Sequence, residues 1–149
     1  MEFVAKHNKD AVYAAKQYAK AKPWKGEFSE RVAKIRTLHD DLGDAYEIDI
    51  DLVIDADGGS PPDNADGFVT YDGPGGTVIV LKPAFAVLTY LRLFAEVLEY
   101  DRELKYTPSK EGIAGYAARW ANGLFKKAFP KSWDKLVARN APILTRDYA

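Results

Sequence analysis

Carboxylates are the side chains of this sequence with the most chemistry to offer. Residues 45–82 hold eight Asp and Glu against one basic group, a balance of −7, while residues 1–44 stand at +2 and residues 83–149 at +4. Within the acidic middle, YEIDIDLVID alternates strictly, with Ile48, Ile50 and Leu52 facing one way and Glu47, Asp49 and Asp51 the other. A strand with that period projects its three carboxylates about 6.6–7 Å apart along one face. Such a comb resembles the spacing of nucleic-acid phosphates and suits a basic partner surface. The next stretch, DADGGSPPDNADG, adds Asp55, Asp57, Asp63 and Asp66. Its hard oxygens are of the kind calcium takes, but the spacing does not match a twelve-residue calcium loop and no glutamate closes it. The Asp and Asn there are read as turn formers.

Other chemistries are poorly provided for. The chain has no cysteine, so thiol nucleophiles, disulfides and thiolate metal sites are excluded. Its two histidines, His7 and His39, are too far apart in sequence to form a motif, and each is expected on a helix surface. No serine stands in a G-x-S-x-G context. No G-x-G-x-x-G or G-x-x-x-x-G-K occurs, and GPGG lacks the lysine. Mixed charge, an acidic middle and mildly basic ends argue against direct nucleic-acid binding. No apolar run reaches the roughly 18 residues of a membrane span, and the charged start does not read as a signal peptide. A cytoplasmic protein without a membrane contact is expected.

The elements that must position these groups follow from periodicity. EFVAKHNKDAVYAAKQYAKAK reads as an amphipathic helix ended by Pro23. FSERVAKIRTLHDDLG reads as a second, with Ser29 as cap, Val32, Ile35, Leu38 and Leu42 on one face, and Gly43 as stop. The strand over Tyr46–Asp55 follows, then a hairpin of GFVTYD and TVIVLK around GPGG. Pro83 opens a largely buried helix from Ala84 to about Tyr100. Ser109 caps another through Phe129, and Pro130 begins a short last one. Tyr116, Trp120, Phe125, Phe129 and Trp133 mark the core side of this pair, and Arg119, Lys126, Lys127, Lys131 and Lys135 its solvated side. The 149 residues are read as one α+β domain: two N-terminal helices, a three-stranded, mainly antiparallel sheet, a buried helix and a C-terminal helical pair.

Residues 67–135 carry a more specific likeness. Leu88, Thr89, Leu91 and Ala95 fit a helix opening LLTxLHExAH. Ala117, Ala118, Arg119, Trp120, Ala121, Leu124, Phe125, Phe129, Pro130 and Ser132 fit a helix with A-x-R-W-A/S, then LF and a basic FPxS segment. In both, the chain resembles small zincin-like metallopeptidase domains carried by phages and plasmids. That family pattern implies a zinc held by histidines at positions 92 and 96, with a glutamate at 93 activating water. This sequence has Arg92, Leu93 and Glu96 there. Arginine cannot ligate, leucine cannot act as a base, and one carboxylate falls short of the three protein ligands of a catalytic zinc. The resemblance therefore implies the scaffold with a degenerate motif, without cofactor or metal. The equally available reading makes Leu88, Leu91, Ala95 and Leu98 a plain core stripe.

Two functions are weighed on this basis. The first is a non-catalytic protein-interaction module that engages a basic partner through the acidic face from Glu47 to Asp66, in the manner of an inhibitor of a nucleic-acid enzyme. The second is a metal-dependent hydrolase with unrecognised ligands, which needs Glu96, Asp101 or His39 to converge in space.

Overall fold

A computed structural model describes residues 7–54, 67–73, 76–102 and 112–139. Helix α1 spans Lys9–Lys20 and opens on Asn8, whose Oδ1 accepts the Ala11 N–H at 2.7 Å, one of the donors a helix start leaves unpaired. Helix α2 spans Phe28–Tyr46. Small residues on α1 (Ala11, Ala14 and Ala15, all buried) let the two backbones approach, and Ile35, Leu38 and Leu42 of α2 fill the seam.

Gly43 does not stop α2, which runs three residues further to Tyr46 and turns at Glu47 in the left-handed region, φ 53° and ψ 47°. The Ile48 N–H donates to Gly43 O at 2.9 Å and the Glu47 N–H to Asp44 O at 3.3 Å. This is the Schellman ending, which usually places glycine where Glu47 stands. Gly43 serves the same turn in another way. A Cβ there would lie 2.9 Å from the Ile48 carbonyl oxygen, so the returning chain needs the space. Ser29 lies inside the helix instead of capping it; Glu27 holds the cap position without a side-chain bond.

The strands are β1 (Asp51–Ile54), β2 (Gly67–Gly73) and β3 (Gly76–Leu81). Strands β2 and β3 form the expected antiparallel pair. Their order, however, is β1-β3-β2, and β1 runs parallel to β3, with Leu52 opposite Ile79. The sheet is therefore mixed. Strand β3 buries Ile79 and Leu81 completely, so it takes the centre, covered on both sides, while the half-wet β1 takes an edge. The strand around the acidic comb is shorter than its alternation, covering Asp51–Ile54 alone. Even so, Glu47, Asp49, Asp51 and Val53 are exposed while Ile50 and Leu52 are buried.

Helix α3 spans Val87–Arg102, beginning after a turn at Pro83 and Ala84 instead of at Ala84 itself. Helix α4 spans Gly112–Ala128 and α5 Pro130–Ala138, with Pro130 at the first helical position. Helices α3 and α4 form the centre of the core, where Phe94 stacks on Trp120 with ring centroids 5.9 Å apart. Trp120, Phe125, Phe129 and Trp133 are buried and Lys126, Lys127, Lys131 and Lys135 exposed, as the spacing predicts; Arg119 is half-buried instead, and the side chain of Tyr116 lies outside the described residues. The architecture is α+β, with helices at both ends of the chain. Among the described residues no helix is long and apolar enough to cross a membrane.

Candidate functional site

The C-terminal end of α2 concentrates acid where a helix least favours it. Asp40, Asp41 and Asp44 crowd its last two turns, which hold no basic residue in the final turn, and Glu47 follows at the left-handed position. The carbonyl end of a helix carries roughly half a negative charge, which favours cations and disfavours carboxylates. Burial, and then the neighbouring Asp44 and Asp40, hold the Asp41 carboxyl above its ordinary range. Between this helix end, the segment 48–50 and α3 lies an open cleft of about 410 Å³, lined by His39, Asp40, Asp44, Asp49, Ile50 and Phe94. Three of those six side chains are exposed carboxylates.

The cleft has a stiff floor. His39 is buried, at 7% exposure, not on a helix surface. Its Nε2 bonds to Ile50 O, which can only accept, so Nε2 carries the proton. Its Nδ1 then accepts from the Tyr90 hydroxyl at 2.7 Å. Burial, followed by Tyr18 and Asp40, pushes the Tyr90 phenol well above its ordinary pKa, which keeps the proton it donates. One imidazole thus ties α2, the approach to β1 and α3 together, with Phe94 edge-on to it at 6.2 Å. Nearby, the Arg36 guanidinium donates to Leu52 O at 2.9 Å and fixes β1 against α2.

His7 is half-buried and lies just before α1, not on a helix surface. Its Nε2–H donates to Trp120 O at 2.8 Å, and its Nδ1 accepts from Lys127 Nζ at 3.1 Å. Burial lowers its pKa, the bond to Trp120 O raises it, and Lys127 lowers it again.

Arg92, Leu93 and Glu96, where the resemblance would place a zinc motif, lie on another side of α3. Leu93 is buried, at 5% exposure, with its Cδ1 against Gly67 of β2. Where the resemblance would place a base, the chain has a core residue. Arg92 and Glu96 are half-buried. Burial raises the Glu96 carboxyl and the Arg92 charge opposes the rise. Tyr71 of β2 and Tyr100 of α3 meet there, ring centroids 4.5 Å apart, and burial with Glu96, Tyr100 and Glu99 raises the Tyr71 phenol.

His39 and Glu96 do not converge. His39 meets Tyr90 and Phe94, and at about 100° per residue Glu96 lies on the far side of α3 from both. The side chain of Asp101 lies outside the described residues, as do Asp55, Asp57, Asp63 and Asp66 altogether. Among the described residues no three His, Cys, Asp or Glu gather as a metal ion requires. The structure thus brings Asp49 into one cleft with Asp40 and Asp44. It leaves Asp51 on the exposed face of β1 and sets Glu47 on a turn. Asp40, Asp41 and Asp44 were legible as the run HDDLGD, but helical spacing alone does not show that the chain folds back to place Asp49 beside them. No protein-family model, no curated protein and no solved structure matches the chain.

Proposed function

We propose that the chain is a protein-interaction module whose acidic end of α2, continued by Asp49 and Asp51, docks a basic partner surface. The observation that carries this reading is the crowding of Asp40, Asp41 and Asp44 at the carbonyl end of a helix, with no basic residue in its last turn. Asp44, in the last turn, works against folding by about 0.3–1 kcal/mol at low ionic strength, and together with Asp40 and Asp49 it sets the negative field of the cleft. The cleft is polar and open, and its histidine uses both nitrogens in holding the fold, which suits recognition better than turnover. A basic face of a nucleic-acid-binding protein is the partner this surface would fit, with carboxylates standing where phosphates would. The zincin-like likeness, on this reading, is one of scaffold: Arg92 and Leu93 keep the helix without the ligands.

The test is binding to a lysine-rich peptide as ionic strength rises. Affinity should fall steeply with salt, because charges more than a Debye length apart, about 8–10 Å near physiological strength, are screened. It should fall again in Asp49→Asn and Asp51→Asn. Binding that ignores both the salt and the two substitutions would sink the proposal.

A further inference from the structure

At the opposite end of α2 the surface has another character. A groove of about 220 Å³ opens between the α1–α2 connection and the turn before α3, with Tyr18 and Val87 inside and Trp24, Phe28 and Phe85 along it. Trp24 is 62% exposed and Phe28 41%. Single apolar side chains at a surface are ordinary, but large aromatics gathered along a concave apolar strip mark a contact surface.

The strip is built and held. Lys34 Nζ, on α2, donates to Lys22 O at 3.1 Å and to Lys25 O at 3.2 Å, clamping both ends of the short segment that presents Trp24. Pro23 beside it is buried, and Lys22 takes a left-handed conformation with φ 53°. Gly26, with φ +98°, lets the Glu30 side chain fold back over the backbone, so that carboxylate faces the start of α2 and not the groove.

The charge at the groove has one sign. Arg31 is its single charged lining residue, and its guanidinium stands 5.7 Å from the centre of the Phe28 ring. Around it, residues 20–34 carry five Lys and Arg against two Glu, and Lys82 precedes the turn on the other side. We propose that this groove is a second docking site, distinct from the acidic cleft, and that its occupant is an acidic peptide segment of a partner protein carrying adjacent large apolar side chains. The apolar pair fills the strip between Trp24 and Phe85, and flanking carboxylates meet Arg31 and the surrounding lysines. Aromatic and arginine anchors in a desolvated centre are the usual carriers of binding energy at such contacts.

The experiment selects short random displayed peptides on the full chain and, in parallel, on the double variant Phe28→Ala, Arg31→Glu. Phe28 is exposed and Arg31 half-buried, and an unchanged melting curve confirms that the variant folds. Peptides enriched on the natural chain alone should share Leu, Ile or Phe pairs flanked by Asp or Glu. Made synthetically, they should bind the variant roughly tenfold or more weakly. They should also shield Trp24, the exposed tryptophan beside buried Trp120 and Trp133, from iodide quenching. The proposal is overturned by enrichment of basic peptides, by equal enrichment on the variant, or by no enrichment at all. Two further results also overturn it. Iodide failing to quench the free chain would mean that its own residues cover the strip. Concentration-dependent self-association abolished by the variant would make a second copy the occupant.

Discussion

Replacing Glu47 with glycine should make the protein more stable and a poorer binder at once. Glu47 sits at φ 53° and ψ 47°, where a side chain bearing a Cβ costs about 1–2 kcal/mol. Glycine removes that cost but gains freedom in the unfolded chain worth about 0.5–1 kcal/mol. The two bonds that close the turn, Ile48 N–H to Gly43 O and Glu47 N–H to Asp44 O, are backbone bonds and survive the change. The net gain is about 0.5–1 kcal/mol, read as a higher urea midpoint at unchanged slope. Glu47→Gln is the control, because it removes the same charge and keeps the Cβ. Glycine should exceed glutamine in stability while both variants lose the same affinity for a lysine-rich peptide. A glycine variant no more stable than the glutamine one would refute the argument that backbone strain is accepted at Glu47 to hold a carboxylate there.

Three other outcomes follow from the packing. Gly43→Ala, in a helix interior where alanine normally gains about 1 kcal/mol, should instead lower the melting temperature, because the new Cβ meets the Ile48 carbonyl oxygen at 2.9 Å. Tyr90→Phe should cost about 1–3 kcal/mol in urea titration, since it leaves the buried His39 Nδ1 without the hydroxyl that now donates to it. Stability should also decline in mild acid. The folded chain holds the His7 proton less tightly than the unfolded chain, whose value is near 6.5. The unfolded state therefore takes up protons first as pH falls. Its contribution is complete above about pH 6.5 and is lost as pH drops from there through the lower folded value. The group facing that imidazole is Lys127, already a cation, so protonation breaks a bond and sets two positive charges together. His7→Gln should flatten this part of the stability-versus-pH curve. So should Gly123→Ala, whose Cβ would come within 2.8 Å of His7 Cε1.

The helices were legible because their apolar spacing is regular and their sides are cleanly divided. Val32, Ile35, Leu38 and Leu42 on α2 and Trp120, Phe125 and Phe129 near the C-terminus illustrate this. The alternating burial from Glu47 to Ile54 was legible too, for the same reason of period. What the local pattern does not carry is which strand lies beside which. Adjacent strands in sequence favour a meander, yet β3 outcompetes β2 for the place next to β1, because burying Ile79 and Leu81 needs cover on both sides. Histidine misled for a related reason. A lone imidazole in a charged stretch reads as solvated, and only the tertiary structure supplies the Ile50 carbonyl and Tyr90 hydroxyl that let His39 be buried. The site was half visible: the exposure of Glu47, Asp49 and Asp51 followed from alternation. The joining of Asp49 to Asp40 and Asp44 depends on the left-handed turn at Glu47, a conformation that glutamate does not advertise.

The central claim is that the carboxylates of Asp40, Asp44 and Asp49 form the recognition surface. The most direct measurement is a nuclear magnetic resonance titration of the full chain with a lysine-rich peptide at low salt. It should be repeated on the triple variant Asp40→Asn, Asp44→Asn, Asp49→Asn. The account predicts amide shifts confined to the end of α2 and to residues 48–51, saturable in the natural chain and strongly diminished in the variant. Shifts centred elsewhere, or undiminished in the variant, would contradict it.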